Sequence, residues 1–198
     1  MPSTSKEARI KITIPAQSQK KILSALISIA YFWATEENFE MSMICYNSLN
    51  KFPLSKKQKI KMQEIKQYIN STFKDELKDK KKSKNDIVLY KENLSLDENI
   101  YCTAAAFILN LFCARVYPLA FDFFFEISSY YPEISAQVLY SLRDQKEIKE
   151  ELKGYLGSYI LFYGQLMDVD VQKGIDIKDL IGEYDSDNDA DDEEDNLL

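Results

Sequence analysis

Apolar positions recur at steps of three and four along most of this chain, the period of a helix buried on one face. The densest stretch is Tyr101–Pro132, YCTAAAFILNLFCARVYPLAFDFFFEISSYYP. Its spacing predicts two short helices folded back on each other. The first runs from the capping box Ser95-Leu96-Asp97-Glu98 to about Ala114, and the second opens with Pro118 at its first position. Tyr117, Ala120, Phe124, Ile127 and Pro132 stand at steps of 3, 4, 3 and 5, a helix face followed by a stop. Upstream, Phe39, Ser42, Tyr46, Leu49 and Pro53 repeat the order aromatic, small, aromatic, aliphatic, proline at steps of 3, 4, 3 and 4.

The rest of the chain reads in the same terms. Arg9 to Ile14 alternates polar and apolar residues, which predicts an N-terminal arm over 1–16 that lays Ile10, Ile12 and Ile14 on the body or offers a strand to a partner. From Ser18 a helix reads through Ile22, Leu26, Ile29, Ala30 and Trp33. Asn38 then caps a second through Met41, Ile44, Cys45 and Leu49, and the short connection makes the pair antiparallel. Ser55-Lys56-Lys57-Gln58 is a capping box for a third, with Ile60, Met62, Ile65, Ile69 and Phe73 on its apolar face. A Lys-rich loop is expected over about 74–94, and 78–86 contains no apolar residue. Pro132 opens a helix through Ile134, Val138, Leu139 and Leu142 that continues into a charged stretch; Tyr155 to Met167 is one more apolar stripe, and 175–181 a final turn.

Composition changes this picture in three ways. With 198 residues, 45% apolar and only five Gly and five Pro, the chain is expected to be one all-α domain over 17–181. Second, Glu183 to Asp195 holds nine carboxylates, and removing them turns the formal net charge of −7 into +2 for the body. Residues 182–198 therefore read as a disordered acidic tail. Asp185, Asp187 and Asp189 have calcium-loop spacing, but Ala190 and Asn196 stand where Gly and Glu are needed, so a solvated polyanion is the expectation. Third, the chain has no His, no Gly-rich phosphate loop and no metal-ligand cluster, so no enzyme, cofactor or metal is expected.

Cys45, Cys102 and Cys113 form no CxxC pattern and lie on or beside apolar helix faces, as buried thiols of a reducing compartment would. The longest apolar run falls short of the ~20 residues that span a bilayer. An intracellular, cytoplasmic protein is expected. Lys81-Lys82-Ser83-Lys84 also fits a short nuclear import signal, although no aromatic platform interleaves with these lysines as nucleic-acid binding would require.

The echoed hairpin resembles the tetratricopeptide repeat, a helix-turn-helix unit of about 34 residues with small side chains where its helices cross. Ala104, Phe107, Ile108 and Leu111 fall on its first-helix slots in the central unit, and Leu26, Ile29, Ala30 and Trp33 in the early one. Ile108 departs from a slot the family keeps small, and Pro53 arrives one residue early. The units begin 78 positions apart, about ten more than two periods. The resemblance implies a short solenoid of stacked antiparallel hairpins whose groove holds a peptide or helix of a protein partner. Asn110 and Arg115 would be groove contacts, and Phe121, Phe123 and Phe125 a docking surface on the aromatic helix. The function expected is a non-enzymatic adaptor or chaperone. Two alternatives stand beside it: a helical-bundle regulator of the viral or apoptotic kind that takes one amphipathic helix, and a nuclear factor whose Lys segment and acidic tail handle a charged partner.

Overall fold

The structure, a computed structural model, describes residues 12–80, 87–142, 145–148 and 151–152. Among them it is all-α. The helices are α1 (Ala16–Thr35), α2 (Phe39–Leu49), α3 (Lys56–Thr72), α4 (Lys74–Lys80), α5 (Leu96–Cys113), α6 (Tyr117–Ser128) and α7 (Pro132–Leu142). Residues 146–148 and 151–152 are also helical.

Local chemistry sets the helix starts. Asn38 accepts the Met41 N–H at the head of α2, and Ser55 and Ser95 each form the reciprocal capping box, with Gln58 and Glu98 respectively. Pro118 sits at the second position of α6, because the helix already begins at Tyr117. The two hairpins close in the same way. Glu37 (φ 54°) and Arg115 (φ 61°) take the left-handed conformation after α1 and α5, which lets the next N–H reach back: Asn38 to the Trp33 carbonyl and Val116 to the Leu111 carbonyl. Every atom pair in that motif recurs 78 positions later, the offset of the sequence echo.

Side-chain bonds fix the relative directions. Gln58 donates to the Lys20 carbonyl and to Ser24 Oγ, and Gln19 donates to Asp97. The Tyr101 hydroxyl donates to the Glu133 carbonyl. Thus α1, α3, α5 and α7 all begin at one end of the molecule, and α2 and α6 run back between them. Helices α1, α2 and α3 pack mutually, and so do α5, α6 and α7. The two triads are joined by α1, which packs on α2 and α3 and also on α5 and α6. This is why Ile22, Leu26, Ile27, Ile29, Ala30 and Trp33, pointing in many directions around α1, are all buried.

The small residues Ala30, Ser42 and Ala120 are fully buried, and Ser42 satisfies its hydroxyl on the Asn38 carbonyl. In the second triad Phe112 meets Phe121 edge-on at 5.1 Å and Phe124 at 6.3 Å, contacts worth about 0.5–1.5 kcal/mol each beyond burial. Chain entering α5 crosses the end of α2, where the Leu89 N–H donates to Ser48 and Tyr90 packs edge-on against Phe52. Fully buried Asn99 then pins it, accepting the Lys91 N–H and donating its amide to the Lys91, Leu94 and Ser95 carbonyls. Ahead of α1, Ile14 is buried and Ile12 packs on the core.

Three expectations need correction. The stretch expected to be loop from about 74 begins with α4, because Phe73 and Leu77 anchor it to the core and Lys78 pairs with Asp75 at 2.8 Å. Ile60 is 49% exposed, since Gln58, Met62, Ile65 and Ile69 form the inward face of α3 and residue 60 falls opposite them. Of the three thiols only Cys45 is buried; Cys102 and Cys113 lie on the outer side and the last residue of α5. The stretches 155–167 and 175–181, the acidic tail, Ile10 and Lys81, Lys82 and Lys84 lie outside the described residues.

Candidate partner-binding surface

The five residues expected to touch a partner do not form one open surface. Phe121 and Phe123 are buried and belong to the core, as their places on α6 beside Phe124 require. Phe125 is half-buried and packs on both Phe121 (6.2 Å, stacked) and Phe124 (5.3 Å, edge-on). The aromatic run is therefore mostly core, and Pro118, Asp122 and Glu126 supply the outward stripe of α6. Asn110 is half-buried on α5.

Arg115 is exposed and already engaged. Its Nε donates to both Glu151 oxygens at 3.0 and 3.1 Å, and a second guanidinium nitrogen lies 3.7 Å from Glu147. The Tyr117 hydroxyl donates to the same Glu151 carboxylate. Burial, and then that hydrogen bond, push the Tyr117 phenol up to about 12. The Glu151 carboxyl is held below the ordinary carboxylate range by the Tyr117 hydroxyl and next by Arg115. This cluster ties Glu147 and Glu151 to the turn between α5 and α6. Its role is structural.

What stays open among the described residues is a face that periodicity alone could have shown. On α1, Gln17, Lys20, Lys21, Ser24, Ser28 and Tyr31 are exposed at helical steps, one stripe on a helix otherwise enclosed. Tyr31 is 51% exposed. The Lys20–Ser24 turn lies against the start of α3 through Gln58, whose neighbours Lys56, Lys57, Lys59 and Lys61 are all exposed. On its other flank, Lys21 sits over the Tyr130 ring at 5.0 Å from the centroid. None of these six lysines makes an ion pair among the described residues, and α3 carries five lysines against the single carboxylate Glu64. The result is a ridge of fixed helical backbone with a cationic half, at the start of α1 and α3, and a hydroxyl and aromatic half, Ser28 and Tyr31.

Such side chains hold anions and polypeptide surface. Among the described residues no group of His, Cys, Asp and Glu is arranged to hold a metal, and no helix is long and apolar enough to cross a membrane. Comparison with known proteins returns no matching family model, curated protein or solved structure.

Proposed function

We propose that the chain is a non-enzymatic protein-interaction module that holds a segment of a partner polypeptide along the open stripe of α1. The observation that carries this reading is the position of α1. It is enclosed by α2, α3, α5 and α6, yet keeps one continuous stripe uncovered by the described residues, so the stripe is presented on the helix that packs on the most others. The two equivalent triads support a link to tetratricopeptide-like hairpins. Their joining through α1, instead of by stacking the second triad after α3, favours a bundle around one central helix over a linear solenoid.

The chemistry of the stripe favours one kind of partner. A segment lying along it meets lysines first and Ser28 and Tyr31 beyond, so it carries acidic residues at one end and an aromatic or aliphatic contact at the other. Surface variants test this. S28R and Y31A should preserve helicity and melting temperature but abolish partner capture, whereas E40A on α2 should leave it intact. Capture that survives S28R and Y31A together would overturn the reading.

A further inference from the structure

The cationic half of the stripe faces a counter-charge within the same chain. Residues 183–195 bring nine carboxylates and no lysine or arginine, and no basic residue follows Lys178. At the other end of the interaction, Lys20 and Lys21 on α1 and Lys56, Lys57, Lys59 and Lys61 on α3 are exposed on the opening turns that Gln58 joins, and none of them makes an ion pair among the described residues. About thirty residues separate the last described residue, Leu152, from Glu183. That length reaches about 100 Å extended and about 45 Å as continuous helix. The Arg115–Glu151 pair places the departure point at the turn after α5, opposite the starts of α1 and α3, and a 20-residue helix such as α1 spans about 30 Å, so an extended connection has the length to return to those first turns.

We propose that the acidic segment 183–195 docks on this lysine face of its own chain and competes there with an acidic partner. The proposal rests on the reading of the α1 stripe as a polypeptide-binding surface and adds its regulation. Tethering supplies an effective concentration in the millimolar range, so a submillimolar intrinsic affinity already keeps the face mostly covered. A partner must then displace the segment, and anything that adds negative charge to the segment tightens its hold. Ser186, set among carboxylates, is the residue where a phosphate would do so.

The test compares the full-length chain with a full-length variant in which the nine carboxylates are exchanged for their amides. Amine acetylation, read residue by residue by mass spectrometry, should be about threefold or more slower at Lys20, Lys57 and Lys61 in the native chain, the factor for a face about two-thirds covered. The protection should vanish in the amide variant and in high salt, with Lys74 and Lys91 unchanged throughout. A synthetic peptide of residues 183–195 should bind the amide variant and fail to bind it once K20E, K57E and K61E are added. Equal acetylation in the two proteins overturns the proposal. So does protection that disappears on dilution, which would place the segment on a second copy, and so does a single-stranded oligonucleotide that binds the native chain as tightly as the variant. The partner reading fails separately, if the lysines are protected but S28R and Y31A leave capture unchanged.

Discussion

Gln58 bonds both its own helix cap and the neighbouring helix, and its removal tests the packing that creates the open stripe. The side chain is 6% exposed and makes three hydrogen bonds: it accepts the Ser55 N–H at 2.9 Å and donates to the Lys20 carbonyl and to Ser24 Oγ, each at 3.0 Å. A neutral hydrogen bond contributes about 1 kcal/mol net. Q58A therefore loses about 3 kcal/mol, less a few tenths returned by the better helix propensity of Ala. At about 2–4 °C per kcal/mol for a chain of this size, the melting temperature falls by about 5–10 °C. S24A alone removes one of the three bonds and costs about 1 kcal/mol or less. In the double-mutant cycle the two should couple by about 0.5–1 kcal/mol, because they share a bond between residues 34 apart in sequence. Urea denaturation of the four proteins, followed by circular dichroism, gives these numbers. A Q58A cost below about 0.5 kcal/mol, the size of an ordinary surface substitution, would refute the contact between α1 and α3, as would zero coupling.

Further outcomes follow from the same structure. In the native chain a thiol reagent should modify Cys102 and Cys113 and spare Cys45 until denaturant is added; Cys45 is enclosed and its thiol pushed up by burial, and rapid labelling of all three would contradict the packing of α2. The Glu151 carboxyl is depressed in the folded state, so its contribution is complete above the unfolded carboxylate range and is lost as pH falls through the lower folded value. The protection of the amides of residues 146–148, measured against their intrinsic exchange rate at each pH, should hence fall on acidification below that range and lose this step in E151Q; a step near neutral pH would be inconsistent. F124A, which empties a site 2% exposed, should cost about 3–5 kcal/mol. F125A should cost clearly less, and equal costs would mean that Phe125 is as enclosed as Phe124.

Much of the fold was readable from the sequence because its determinants are local. The caps at Asn38, Ser55 and Ser95 are set by residues three apart, and the stop after each hairpin by a single turn. The echo of Phe39–Pro53 in Tyr117–Pro132 marks two hairpins that close with the same left-handed residue, at Glu37 and Arg115. Long-range packing was not readable. That α1 joins both triads depends on Gln19 meeting Asp97 and Gln58 meeting Ser24, pairs 78 and 34 residues apart. The aromatic run of α6 reads as a surface because nearly every position is apolar. Burial of Phe121 and Phe123 against α5 and its neighbours shows that such a helix is enclosed, leaving Pro118, Asp122 and Glu126 outside. The polar positions of α1 carried the better signal: a narrow stripe on an otherwise apolar helix marks a side that none of the described helices covers.

The most direct test of that stripe is a photo-crosslinking amino acid placed at Ser28 of the full-length chain, with Glu40 on α2 as the comparison site and the products mapped by mass spectrometry. Position 28 should crosslink to an acidic polypeptide segment, with few products from position 40. Equal crosslinking from both sites, or none from position 28 while position 40 yields products, would contradict this reading.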